Sequence, residues 1–487
     1  MYLYLLWKEK EEPDSTVLPL AANTENTIYQ EISENTNTEL GKSNYQEAEV
    51  NHDSMNKTNN YSVDLTEVSL ISAENVHCCF RYFGPIKEGS LRGSIFSLAS
   101  ICFDTTSLSF PLAISYTGLV PGTFMLFLMA SLSFWSLNLL FIAGKKREIY
   151  NYRQLIVECL GCKMAIVSDI NNLIFTVGAQ CAYIVTISKF FSESVKEIFD
   201  FEITSQLKAV QMALSMICFQ IPLSLIKNIS TLQYASMAGS FVLIFALLVM
   251  LIESPFYYKQ GIEEGRKVNF FQNINLNYLD AFSVFLFGHS PHNGLFLILN
   301  ELSRPDNRRS TKVINRAYLL QGLIFLIIAY SGFFSLIKEV PTIFLSRQPL
   351  ENFDPQDYAC TMVKILFFIS LHCLCAINFN LLRGTIRSLF FNVKETTNFQ
   401  NFYVTSIMFI VSNLISFFAD NVVQIIGTIS GISVTFICYV FPILCYVKSN
   451  DNPRWNYKNL VSLTIMLIIC VLGLMSTVKS GWDNLTN

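Results

Sequence analysis

The 487 residues are 52% hydrophobic and only 15% charged, with a formal net charge of −3 and a mean hydropathy of +0.40. Soluble domains carry about a quarter charged residues, so that class is excluded. A nucleic-acid-binding chain is excluded too, since no basic face with interleaved aromatics occurs.

Residues 1–75 are rich in Asn, Glu, Thr and Ser and contain few long apolar runs, so they bury too little surface to fold alone. They are expected to form a disordered acidic tail, followed by a membrane domain over 76–480 and a short C-terminal tail over 481–487. Eleven apolar blocks follow the first tail: 92–117, 121–143, 166–190, 208–227, 232–254, 278–300, 314–337, 360–382, 402–420, 422–447 and 458–478. Each is close to the roughly twenty residues that cross a bilayer as helix. Lipid offers the backbone no hydrogen-bond partners, and no alternating barrel pattern occurs, so the blocks are read as helices. The expected fold class is an all-α membrane protein with eleven transmembrane helices.

Lys and Arg alternate from loop to loop. Lys145, Lys146, Arg147, Arg153 and Lys163 fall on one side, as do Arg304, Arg308, Arg309 and Lys312; Glu193, Glu197, Asp200, Glu202, Glu263 and Glu264 fall on the other. The basic side faces the cytoplasm. The N-terminus is therefore expected in the cytoplasm and, with an odd number of spans, the C-terminus opposite.

Two spans are interrupted. The first carries Asp104, Thr105, Thr106 and Ser107 in its middle and Pro111 just after, where a missing N–H and a ring clash with the preceding turn are expected to break the helix. The sixth carries Gly288, His289, Ser290, Pro291, His292, Asn293 and Gly294. Irregular backbone at membrane depth is tolerated only where protein buries it or a cavity adjoins it. Broken helices at matching places, each opening a group of five spans, are the mark of a 5+5 inverted repeat with an extra C-terminal helix and a midplane solute site. A proline kink without a ligand is the plainer reading of one break; two matching breaks favour a site. The candidate solute-binding residues are Phe103, Asp104, Thr105, Thr106, Ser107, Gly288, His289, Ser290 and Asn293. The candidates for ion coupling on this ground are Asp104, His289 and His372, because an ionisable group at membrane depth is costly and usually functional. Each has a structural reading: Asp104 bonded to a neighbouring hydroxyl or to His289, the imidazoles bonded to freed carbonyls.

No nucleophile–base pair, phosphate loop or metal cluster stands outside the apolar blocks, and the thirteen cysteines have no zinc-type spacing, so an enzyme is not expected. No cofactor is expected beyond a coupling H⁺ or Na⁺.

The chain resembles the amino acid/auxin permeases, among them the sodium-coupled neutral amino acid transporters and their vacuolar relatives. The matching stretches are Pro111-Leu-Ala113 with Thr117-Gly118, Ile221-Pro222-Leu-Ser-Leu-Ile-Lys-Asn228, Leu299-Asn300-Glu301-Leu302, Arg383-Gly-Thr-Ile-Arg387, and Gly427 and Gly431 with Phe441-Pro442. The resemblance implies the inverted-repeat leucine-transporter fold. It also implies cation-coupled movement of amino acids or similar small solutes by alternating access, at a plasma, vacuolar or lysosomal membrane, with an organelle inner membrane left open. Asp104-Thr105-Thr106 stands where the family has a glycine run, and His372 or Leu374 stands near the span-eight Thr of sodium-coupled members; Ser100 stands where those members have Asn, so the resemblance makes it a further candidate for ion coupling. Proton coupling is therefore preferred to sodium. The alternative is a transport-incompetent relative serving as a structural subunit, with protein partners in a larger membrane assembly.

Overall fold

The computed structural model describes residues 89–103, 105–225, 229–303, 306–337, 340–347, 357–386, 398–419, 421–450 and 456–486. The 1–75 tail, Asp104, Arg304 and Arg387 lie outside them. The described residues form helices and connecting segments, with no strand among them.

Span 1 is Leu91–Ser100 followed, after a break, by Thr105–Thr117. Spans 2 to 5 are Leu119–Arg147, Cys162–Phe199, Ser205–Leu225 and Ile229–Glu263, with a short helix, Tyr152–Leu160, between spans 2 and 3. Span 6 is Asn277–Gly288 and then Leu295–Glu301. Spans 7 to 11 are Asn307–Leu336, Tyr358–Ile386, Asn398–Phe418, Val422–Ser449 and Tyr457–Thr486. Among the described residues nine helices are continuous, long and apolar enough to cross a membrane, and the halves of span 1, bent by 53°, make a tenth crossing. The span-6 pieces have 12 and 7 residues, and neither could cross alone. The eleven-span expectation therefore turns on reading these two pieces as one crossing.

Several spans outrun their expected limits, spans 3 and 5 by the most consequential stretches. Span 3 continues to Phe199, so Glu193 and Glu197 ride on its last turns instead of on a loop. Lys364 of span 8 makes this favourable, because its buried ammonium pairs with both carboxylates. Span 5 continues through Pro255 to Glu263.

Two further prolines are absorbed by widened turns. A π-helical turn, Met216–Gln220, precedes Pro222, and two more, Ser430–Val434 and Phe436–Val440, precede Pro442. Pro442 cannot donate to the carbonyl one turn back. The carbonyls there are met from outside the helix: the Tyr152 hydroxyl donates to Ile437 O at 2.7 Å, and the Ser136 hydroxyl to Cys438 O. Span 10 also carries Gly431, against whose backbone Gly473 of span 11 lies directly; a Cβ on Gly473 would come within 2.4 Å of Gly431 O. The largest helix interfaces join span 3 to span 8 and span 5 to spans 7 and 8.

Candidate functional site

The break in span 1 begins after Ser100. Its backbone turns tightly, with Cys102 N–H donating to Ala99 O at 3.2 Å and Phe103 N–H to Ser100 O at 3.0 Å. A 3-10 run, Thr105–Ser109, leads into the helix Phe110–Thr117. Pro111 lies in the first turn of that helix, where a missing N–H is harmless. The bend lies upstream of it, so the expected clash at Pro111 is not what interrupts the span.

At span 6 the helix stops at Gly288. The carbonyls released there are capped by side chains. His289 Nδ1 pairs with Phe285 O at 2.8 Å, the Ser290 hydroxyl donates to Phe287 O at 2.6 Å, and Gln321 Nε2 donates to Gly288 O at 3.3 Å. The Ser133 hydroxyl donates to His289 O. The two breaks touch because glycine leaves room. A Cβ on Gly288 would stand 2.5 Å from the Phe110 ring, and one on Gly294 would stand 2.1 Å from the Ile101 side chain.

Between the breaks and spans 3 and 8 lies a cavity of about 490 Å³. Ser100, Phe103, Ser290 and Asn293 are on its wall. Span 3 adds Asp169, Asn172, Thr176 and Tyr183, whose spacing of 3, 4 and 7 residues puts them on one helix face. Asn293 Nδ2 donates to Asn172 Oδ1 at 2.8 Å, and Asn172 Nδ2 to Thr385 Oγ1 at 3.2 Å, linking spans 6, 3 and 8 across the space. The wall reaches residues 150–153, at the start of the short helix Tyr152–Leu160, where Arg153 Nε meets Asp169 Oδ2 at 2.8 Å.

The far end of the bundle is covered. Ile343, Phe344 and Leu345 are fully buried, the Ser109 hydroxyl donates to Thr342 O at 2.6 Å, and Lys189 Nζ donates to Thr342 Oγ1 at 3.3 Å. Arg347, 5% exposed, secures this segment. It pairs with Glu253 and with Asp357 (3.7 Å), and its guanidinium lies 3.9 Å over the Tyr257 ring.

The structure thus brings four of the expected residues to one cavity. Thr105, Thr106 and Ser107 are fully buried beside it but do not line it. Gly288 and His289 face Phe110, with the His289 ring stacked on it at 5.9 Å. His372 bonds Phe368 O at 2.6 Å and sits against Phe368 and Phe219, at a contact between spans 8 and 4. Ser100 donates its hydroxyl to Ser97 O at 2.9 Å. Asp104 lies outside the described residues. The sequence reading passed over Asp169, Asn172 and Thr176, although polar residues at helical spacing inside an apolar block were a usable signal. Arg153 was counted only for orientation.

A family model described as transmembrane amino acid transporter protein matches residues 87–484. The chain belongs to the transmembrane amino acid transporter family.

A Toxoplasma gondii protein named amino acid transporter AAT1 is 28% identical over 255 residues, 52% of this chain but only 35% of that protein's length. A Danio rerio protein named sodium-coupled neutral amino acid transporter 11 is 22% identical over 80% of this chain and 86% of its own. Its Homo sapiens counterpart is 20% identical over 75% and 89%. These relatives are transporters, not enzymes. Among solved structures, MhsT in complex with L-phenylalanine aligns with a TM-score of 0.52 at 12% identity, covering 80% of this chain and 98% of that one. A nucleobase-cation-symport-1 family transporter in a closed conformation aligns at 0.50 and 11%, covering 80% and 91%. This member of the transporter family therefore has the leucine-transporter fold and is a multi-pass membrane protein.

Proposed function

We propose that the protein is a secondary active carrier of amino acids or similar small organic solutes, working by alternating access. The observation that carries this reading is the cavity of about 490 Å³ walled by both helix breaks. Half-helix ends at such breaks present oriented backbone groups to a bound solute. The competing expectation, a transport-incompetent subunit held by protein partners in a larger assembly, calls for this space to be filled by side chains; an open space with polar groups set in a largely apolar wall supports the carrier.

The described conformation is read as open toward the cytoplasm. Its cavity reaches residues 150–153, on the Lys/Arg-rich side, and the opposite end lies under 340–347. The N-terminus is taken as cytoplasmic for the same reason. Asp104 is the first candidate for carrying a coupling proton, as an ionisable group at the span-1 break. Uptake by the full chain in reconstituted vesicles, under imposed pH or Na⁺ gradients, tests both parts. Accumulation of at least one amino acid class driven by the pH gradient is expected. Absence of counterflow for every amino acid class overturns the carrier, and drive by Na⁺ alone overturns the proton.

A further inference from the structure

We propose that Arg153 and Asp169 form a docking subsite for the zwitterionic head of a free α-amino acid, at the 150–153 end of the cavity. The inference rests on the amino acid carrier reading above. Both residues are on the cavity wall. Their charges are held together, Arg153 Nε to Asp169 Oδ2 at 2.8 Å. An α-amino acid carries its ammonium and carboxylate on one carbon, so adjacent charges of opposite sign are its complement. The guanidinium presents a planar fork of donors suited to a carboxylate, and Arg153 uses only its Nε on Asp169. A carboxylate accepts several hydrogen bonds at once, so Asp169 can take an ammonium alongside the contacts it already makes.

The surroundings favour recognition over a plain surface pair. Asp169 is 4% exposed although it faces the cavity, while the Arg153 side chain is 45% exposed and can swing to meet a solute. Asp169 also begins the polar face of span 3 that continues through Asn172 and Thr176 toward the breaks. A solute leaving the breaks meets neutral amide and hydroxyl groups first and the matched pair of charges last. A simple amine or a simple acid would satisfy only half of that pair.

The test uses the full chain, purified and reconstituted, with the probe being whichever of the twenty common L-amino acids gives the largest wild-type counterflow. KM is measured separately on each face of the vesicle. Competition by the probe's amine (lacking the carboxyl) and acid (lacking the amine) is measured at the 150–153 face. Asp169→Asn and Arg153→Gln are each expected to raise KM about tenfold at that face, the size of one charged hydrogen bond. KM at the other face is expected to stay within about twofold. Asp169→Asn should also let the acid compete, and Arg153→Gln the amine, while Arg153→Lys keeps the charge and gives the smaller shift. Should the variants lower only the maximal rate, with KM and competition unchanged and the exchange Arg153→Asp/Asp169→Arg restoring that rate, the pair is a clasp and the subsite is overturned while transport stands. A wild-type protein that moves no amino acid overturns the carrier reading and the subsite together.

Discussion

The two ends of the bundle are built from different chemistry. Toward the 150–153 segment the spans are joined to one another by amides and hydroxyls, Asn293 to Asn172 to Thr385, while a half-exposed charge pair, Arg153 to Asp169, ties span 3 to the short helix Tyr152–Leu160, and space remains between them. At the opposite end they are joined by buried charge. Arg347 is clasped by Glu253 and Asp357, and Lys364, 1% exposed, by Glu193 and Glu197. A neutral hydrogen bond contributes about 1 kcal/mol net and parts without stranding a charge. A buried ion pair contributes little beyond an apolar replacement, yet losing one partner costs several kcal/mol. Between spans, the open end is thus held by contacts that exchange readily with water or solute. The covered end is held by contacts that must part together.

The sharpest way to break this contrast is Arg347→Ala. It leaves Glu253 and Asp357 facing each other in a buried site, and a loss of about 3–5 kcal/mol is expected, read as a lower melting temperature in detergent. A cysteine placed at Thr342 should then become reactive to a membrane-impermeant maleimide; protection as in the parent would mean that Arg347 does not hold the cover. Gly288→Leu is expected to cost about 1–3 kcal/mol, because the side chain must displace the Phe110 ring that a Cβ would already meet at 2.5 Å. Transport should fall with it, since the two breaks are forced apart.

Asn172→Ala removes a 2.8 Å bond to Asn293 and a 3.2 Å bond to Thr385, for about 1 kcal/mol each. Melting should shift slightly while solute exchange on the 150–153 side speeds up. Unchanged exchange would show that the amide bridge does not limit passage. The smallest effect is expected at His372→Gln, under about 1 kcal/mol, with the pH profile of uptake unmoved, because the imidazole bonds its own helix at Phe368 O. A displaced profile would return His372 to the coupling path.

How far the fold was legible depended on the kind of signal. Long apolar blocks announced the helices, and the runs around Asp104 and around Gly288-His289-Ser290-Pro291 announced the breaks, because a bilayer tolerates neither water-seeking backbone nor helix breakers without cause. Which residues of the breaks face the cavity was not legible. Ser290 and Asn293 turn to it, whereas His289, between Gly288 and Ser290, turns back to cap Phe285 O. A broken helix has no fixed period from which to read a facing direction. Glu193, Glu197 and Glu253 read as loop or interface acids, since their partners Lys364 and Arg347 are between 94 and 171 residues away in the chain.

The sequence alone determined that this chain crosses a bilayer many times as helix and that two crossings are interrupted. Those features follow from local hydropathy and from what Gly and Pro do to a single helix. Only the tertiary structure decided that the interruptions meet around one open space, and that Asp169, Asn172 and Thr176 line it while His372 does not. The physical reason is that a cavity wall is assembled from several helices, and the side chains that reach it are selected by packing between spans distant in sequence.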